Sequence, residues 1–231
     1  PMTGSNIFHD GTFLVPPLNY LKKGELLKST MHTYGFAGNN LGLFSNFILG
    51  YYSIGSISFI KLILIYFNKF LIILISKKII SYSNLEDSLK KLLFIIFTFF
   101  VISLPDYYDI TRNFSPRISL YLFFILLLGS ALCDNSYLKF KIFLVGIFST
   151  LSVLWWFDIG FYTNILIILT AIYLIFHGEN KKLLILIISI FFSWAIFFLL
   201  IPPDQIKEFF YQLNFIYSTS DYSVGIEYIK P

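Results

Sequence analysis

Long apolar runs separated by short polar stretches dominate the chain from residue 56 to residue 201. A helix crosses a bilayer with about 20 apolar residues. Runs shorter than this are expected where the bilayer is locally thin. The pattern predicts an all-α, polytopic transmembrane helix bundle. Its six predicted spans are 56–76, 90–104, 118–133, 140–156, 162–177 and 183–201.

Two mixed regions flank the apolar runs. Residues 1–55 are rich in turn residues, and only the stretch 41–54 is apolar, with a length typical of an interfacial helix. After the last run, residues 205–217 form an amphipathic stretch whose aromatic side chains suit a membrane–water interface. We therefore predict three regions: an outer loop and interfacial helix (1–55), a bundle of about six helices (56–201) and an outer amphipathic tail (202–231).

Composition supports a membrane protein and excludes several other classes. Only 13% of the residues are charged and 57% are hydrophobic, whereas soluble domains carry about 25% charged residues. The net charge of +4 is spread between apolar runs, so it does not indicate a nucleic-acid partner. Cys133 is the only cysteine, which excludes an internal disulfide. The chain also lacks the phosphate loop of ATP-driven pumps and the H-E-x-x-H motif of zinc proteases.

The lysines predict an orientation. After alternate spans, basic residues cluster on one side of the bundle, and the positive-inside rule makes that side cytoplasmic. Residues 1–55 and the tail then face outward. A composition typical of an AT-rich bacterial genome places the protein in the bacterial inner membrane, and the polar start at Pro1 favours a fragment that lacks an upstream helix. The lysines are Lys77, Lys78, Lys90, Lys91, Lys139, Lys141, Lys181 and Lys182.

The first outer region contains the densest candidate chemistry. His9 and Asp10 precede Gly11, and an Asp beside a His near a membrane surface suits a general base or a metal ligand. The alternative is that Asp10 caps a short helix that starts near Phe13. His32 follows in the same region and is a candidate substrate-binding residue.

The loop 105–117 contains both arginines of the chain, Arg112 and Arg117. The planar guanidinium binds phosphate oxygens in a bidentate manner, so these arginines are candidate phosphate-binding residues. The alternative is that they pair with Asp106 and Asp109 and stiffen the loop.

A tight turn after Trp155 contains Asp158. Ionisable groups at membrane depth usually face a polar cavity or a partner, so Asp158 and Asn164 are candidates to face a substrate site. The alternative is that Asp158 caps the span that starts near Phe161, with the tryptophans as interface anchors.

Two lysines lie inside the first predicted span. Lys61 is expected to extend its ammonium outward, and Lys69, nearer the middle, needs a cavity or a long reach to the inner interface. The spans contain no acidic residue in their interior, which argues against an ion-coupled transporter.

The order of these segments resembles the GT-C class of polytopic glycosyltransferases, in particular bacterial membrane proteins with an outer HDG or HEG motif. The resemblance touches most of the chain through scattered residues. These are His9-Asp10-Gly11, Pro17-Leu18-Asn19-Tyr20, Gly24, Gly35, Gly42-Leu43-Phe44, Leu154-Trp155, Asp158, Gly160 and the tail from Asp204 to Tyr228.

The resemblance implies an enzyme that transfers sugar from a polyprenyl-phosphate donor at the outer leaflet. Asp10 would be the catalytic base or metal ligand, with His9 or a divalent metal assisting, and Arg112 and Arg117 would hold the phosphate. The chain departs from the pattern at Ile159, where such proteins carry a basic residue, and in having fewer spans than a complete enzyme. The alternative function is a polysaccharide or lipid transporter, or a scaffold, without chemistry of its own.

Overall fold

The computed structural model describes residues 7–24, 40–51, 53–104, 114–133 and 136–225, and the regular elements in these ranges are all α-helices. This confirms the predicted all-α bundle. The nine helices in this part of the chain are α1 (Ile7–Lys23), α2 (Leu41–Leu49), α3 (Ile54–Ser81), α4 (Asp87–Ser103), α5 (Phe114–Cys133), α6 (Leu138–Trp155), α7 (Phe157–Phe176), α8 (Asn180–Leu200) and α9 (Pro203–Gly225).

Five of these helices, α3, α5, α6, α7 and α8, are long and apolar enough to cross a membrane. The stretch 90–104, which we expected to be a sixth span, lies in α4. This helix has 17 residues, so its length is about 25 Å, whereas a bilayer core is about 30 Å thick.

The end of α4 explains how Lys69 is accommodated in the middle of α3. The Lys69 ammonium donates hydrogen bonds to the carbonyl oxygens of Ile102 (3.2 Å) and Leu104 (2.9 Å). The last carbonyls of a helix lack partners within the helix and carry partial negative charge, so a cation there is favourable. The expected reach to the inner interface is therefore not needed. Lys61, which we expected to extend outward, is only 7% exposed.

Helices α6 and α7 form an antiparallel hairpin joined by a single residue. Trp156 is extended (φ −159°, ψ 124°) and separates the two helices. Along the hairpin, Val153 lies against Gly160, where an added Cβ would come within 2.6 Å of the Val153 Cα atom. Further along, Ser149 lies opposite Asn164. A glycine at residue 160 thus allows the two helix backbones to approach closely.

Helices α6 and α8 run parallel and pack through small residues. Gly146 faces Ser189, and four residues later Thr150 faces Ser193, with 2.9 Å between the two hydroxyl oxygens. Because both contacts advance in the same direction along the two helices, the pair is parallel. Small residues four apart are typical of close helix packing in membranes, where lipid offers no hydrophobic drive for association.

Helix α5 packs antiparallel to α6, and α3 packs against α5. The rings of Phe123 and Phe124 lie against Phe148, with centroids 5.8 and 5.5 Å apart. The Tyr82 hydroxyl, just beyond α3, donates to the carbonyl oxygen of Cys133 at the end of α5 (3.4 Å). Helices α3 and α5 therefore end at the same end of the bundle.

The eight lysines of the predicted cytoplasmic side lie at this end, where α3 and α5 finish and α4, α6 and α8 begin. We call it the lysine end. At the opposite end, which we call the arginine end, Arg117 lies in the first turn of α5 and Asp158 lies in the first turn of α7. Helix α2 packs on the first turns of α3 there, and α9 packs through Phe209 on Phe157 and Phe197.

Candidate functional site at the arginine end

The arginine end brings together two residues that the sequence singles out separately. The Arg117 guanidinium forms an ion pair with the Asp158 carboxylate across the first turns of α5 and α7. One alternative for the arginines was pairing with Asp106 and Asp109, and both of these acids lie outside the described residues. The described partner of Arg117 comes instead from a turn about 40 residues later in the chain.

Trp155 holds this end of α6 against α5. Its indole N–H donates to the carbonyl oxygen of Pro116 at 2.6 Å, and its ring lies 6.2 Å from that of Phe44 in α2. Since Pro116 precedes Arg117 and Trp155 lies three residues before Asp158, this bond fixes both helix starts. The ion pair is therefore built on two rigid helix ends. Trp155 is therefore more than an interface anchor, because its indole N–H has a partner within the protein.

Asp158 also interacts with the start of its own helix. Its second carboxylate oxygen accepts a hydrogen bond from the backbone N–H of Ile159 at 2.8 Å. Asp158 is the second residue of α7, and the flanking residue is Trp156, so Asp158 is not the N-cap. A carboxylate in a first helical turn is stabilised by the partial positive charge there. One carboxylate thus holds both the helix start and Arg117.

The ion pair is only partly buried. The side chains of Arg117 and Asp158 are 45% and 35% exposed. A guanidinium carries five N–H donors in a planar fork, and a carboxylate engages at most two or three of them. Arg117 is therefore oriented by Asp158 and still presents donor groups outward. This arrangement suits an anion that approaches from the interface.

Asn164, which we expected to face a substrate site with Asp158, forms hydrogen bonds within the helix bundle. Its amide nitrogen donates to the carbonyl oxygens of Ser149 (3.0 Å) and Gly160 (2.8 Å), and its oxygen accepts from the Ser149 hydroxyl (2.6 Å). The Trp194 indole also donates to the Ser149 hydroxyl at 3.1 Å. We call Ser149, Asn164 and Trp194 the interior cluster, and it links α6, α7 and α8.

The contacts of Asn164 with Ser149 and Trp194 were not predicted from the sequence. A signal was present, because Gly146, Ser149 and Thr150 recur at helical spacing within an apolar run, as do Ser189 and Ser193 in α8. Small and hydroxyl residues at such spacing mark helix–helix contacts in membranes.

Several predicted site residues cannot be placed in this arrangement. His32 and Arg112 lie outside the described residues, as do the side chains of His9 and Asp10. The backbone of α1 is described and begins at Ile7, so Asp10 lies in its first turn. Asp10 therefore does not cap a helix starting near Phe13. Helix α1 packs on α2 and α3, and α2 contacts Trp155.

Among the side chains that the structure describes, no group of three His, Cys, Asp or Glu residues is arranged to hold a metal ion. Comparisons with protein-family models, curated proteins and solved structures give no match to this chain. The resemblance to GT-C glycosyltransferases therefore stays a prediction. The described helices and their hydropathy support the conclusion that the chain is a multi-span helical membrane protein.

Proposed function

We propose that this protein binds a polyprenyl-phosphate-linked sugar at its arginine end and transfers the sugar to an acceptor hydroxyl, as a membrane-embedded glycosyltransferase. The observation that carries the proposal is the half-exposed guanidinium of Arg117, which Asp158 orients where two spans begin. The lysine end is then the cytoplasmic side, in keeping with the positive-inside rule. The arginine end faces the outer leaflet, where the bacterial inner membrane presents such donors.

The transfer needs a base and a site for the departing phosphate. Asp10 would accept the proton of the acceptor hydroxyl, whose oxygen then bonds to the anomeric carbon of the sugar. The bond between that carbon and the phosphate oxygen breaks, and polyprenyl phosphate leaves with the electron pair. Arg117, with Arg112 five residues earlier in the sequence, would offset the charge that develops on this oxygen.

The packing of the first helices supports a role for the region that contains His9 and Asp10. Helix α1 packs on α2, and Phe44 of α2 contacts Trp155, whose indole binds the backbone beside Arg117. A chain of direct contacts thus connects α1 to the ion pair. Proton transfer and phosphate binding would then occur at the same end of the bundle.

The first test is binding of a short-chain polyprenyl-phosphate sugar to the protein in nanodiscs. We expect Arg117→Ala to weaken binding about tenfold or more, because a charge-assisted bond to phosphate is lost. Asp158→Asn keeps the shape of the side chain and removes the competing anion, so binding should be unchanged or tighter. Lys207→Ala, in α9 at the same end, removes an exposed cation and is the matched control.

The two roles of Arg117 give different outcomes. If the ion pair serves only to hold α5 against α7, Arg117→Ala and Asp158→Asn will lower the melting temperature similarly, and neither will change the affinity for the lipid. That result would overturn the proposal.

Transfer is tested separately from binding. The Asp10→Asn variant should still bind the polyprenyl-phosphate sugar but fail to transfer it. Transfer at the wild-type rate would remove Asp10 from the mechanism. Donor binding without transfer by the wild-type protein would favour a lipid-handling protein that has no chemistry of its own.

A further inference from the structure

A groove between α3 and α5 opens onto the membrane at the lysine end. Its volume is about 150 Å³ and its depth is lined by apolar side chains of both helices. The lining includes Ile75, Lys78, Tyr82, Ile125, Gly129 and Cys133. Because these helices are candidate spans, the neighbour of this outward-facing groove is the bilayer itself.

Gly129 creates the floor of the groove. A Cβ atom added at this residue would meet no heavy atom within 4 Å, so the missing side chain leaves open space on α5. This differs from Gly146, where an added Cβ would come within 2.9 Å of the Leu186 carbonyl oxygen in α8. Gly146 serves helix packing, whereas Gly129 leaves open space on the face of α5 that lines the groove.

The rim of the groove is polar and basic. Lys78 lines it, and Lys77 precedes Lys78 at the end of α3. Among the described residues, neither lysine forms an ion pair, whereas Lys90 pairs with Asp87 and Lys182 pairs with Glu179. The Tyr82 hydroxyl lies at the same rim and contacts the Cys133 carbonyl oxygen. Because this hydroxyl already donates its proton to the Cys133 carbonyl oxygen, the group suited to a phosphate at the rim is the Lys78 ammonium.

We propose that this groove binds an anionic phospholipid of the leaflet at the lysine end, with one acyl chain over Gly129 and the phosphate at Lys78. The apolar depth of the groove matches an acyl chain, and Lys78 at its rim matches the phosphate. Basic pockets between transmembrane helices are known to bind anionic head groups, and a lysine near an anionic surface contributes about 1 kcal/mol. This inference is independent of the glycosyltransferase proposal, since it concerns the opposite end of the bundle.

Cys133 offers a direct readout, because it is exposed, lies in the groove and is the only cysteine of the chain. The full chain in phosphatidylcholine nanodiscs is compared with the same chain in nanodiscs that also contain phosphatidylglycerol. The measurement is the rate at which a neutral maleimide alkylates Cys133. We expect phosphatidylglycerol to slow alkylation about fivefold, which corresponds to about 1 kcal/mol of lipid binding.

Three variants separate the head-group contact from the acyl-chain contact. Lys78→Ala should abolish the slowing, whereas Lys181→Ala, which removes a charge at the same end but outside the groove, should retain it. Gly129→Leu puts a side chain into the groove at a residue where an added Cβ meets no heavy atom within 4 Å, and it leaves every charge in place. Phosphatidylglycerol should then no longer slow alkylation relative to phosphatidylcholine.

Either of two results would overturn the proposal. Equal rates in the two lipid mixtures for the wild-type chain would show that the groove does not select anionic lipid. Full slowing in the Gly129→Leu variant would show that the lipid gathers at the surface lysines without entering the groove.

Discussion

The interior cluster and the ion pair at the arginine end are both polar, but they differ in whether their hydrogen-bonding groups remain available to a ligand. Ser149, Asn164 and Trp194 satisfy one another across three helices, and the Ser149 side chain is buried. The side chains of Arg117 and Asp158 are 45% and 35% exposed, and the Arg117 guanidinium retains donor capacity toward the interface. In a bilayer, unsatisfied polar groups are costly, and the groups of the interior cluster satisfy one another. The donors of Arg117, at the end of a span, remain available to a ligand.

Substitution of Gly146 by Leu should give the largest effect on stability. The new side chain would meet Ser189 and the Leu186 carbonyl oxygen where α6 and α8 are closest. Overpacking of this kind costs on the order of 3 kcal/mol, so we expect a large fall in melting temperature. Unfolding is measured by tryptophan fluorescence in detergent. Gly129→Leu is the matched control and should melt within a few degrees of wild type, because its side chain enters open space. Equal melting of both variants would show that α6 and α8 do not pack this closely.

Substitution of Asn164 by Leu should have the next largest effect. It removes the hydrogen bonds to Ser149 and Gly160 and leaves their oxygens with fewer donors. Interhelical hydrogen bonds in membranes contribute about 0.6 kcal/mol each, with a maximum of about 1.7 kcal/mol. We therefore expect destabilisation of about 1 to 2 kcal/mol in equilibrium unfolding.

Thr163→Val is the control for this substitution. Thr163 is 0% exposed, and its hydroxyl has no hydrogen-bond partner among the described residues. Removing an unsatisfied hydroxyl while keeping the shape should leave stability unchanged or raise it. If Thr163→Val destabilised the protein as much as Asn164→Leu, burial rather than hydrogen bonding would account for both losses.

The contrast between the two regions also explains what could be predicted from the sequence. The apolar run 183–201 predicted α8 (Asn180–Leu200) closely, because hydropathy reports the length of a span directly. The run 90–104 was predicted to be a span because it is apolar. Its apolar character does not reveal that α4 ends beside Lys69. Helix neighbours were not predictable in this way, because lipid and protein are equally apolar surroundings for a leucine.

The candidate site was predictable only in part, for a related reason. Arg117 and Asp158 were both identified, because the chain has only two arginines and because Asp158 lies in a tight turn between two apolar runs. Their pairing depends on the antiparallel packing of α5, α6 and α7, which the hydropathy pattern does not contain. Asn164 was assigned to the wrong region, since its distance from Asp158 in sequence does not reveal that it faces Ser149.

A smaller effect is expected for Trp155→Phe. Phenylalanine keeps a ring that can contact Phe44 but cannot donate to the Pro116 carbonyl oxygen. The loss of one neutral hydrogen bond corresponds to about 0.5 to 1.5 kcal/mol. Since this bond fixes the start of α5, lipid binding at Arg117 should weaken as well. Trp156→Phe, in the adjacent connecting residue, tests whether any loss of a tryptophan has this effect.

The smallest effect on stability should come from the ion pair itself, although it is the strongest candidate for function. Exposed pairs contribute about 0.2 to 1 kcal/mol and less in high salt. A double-mutant cycle with Arg117→Met and Asp158→Asn should give a coupling energy in this range from unfolding measurements. A coupling of several kcal/mol would indicate a structural lock, and the guanidinium would not be available for phosphate. A weak coupling is what a binding site requires, because a phosphate that binds the outward N–H groups of Arg117 also draws the guanidinium away from Asp158. The region that contributes least to stability is therefore the one in which a ligand can make the largest difference.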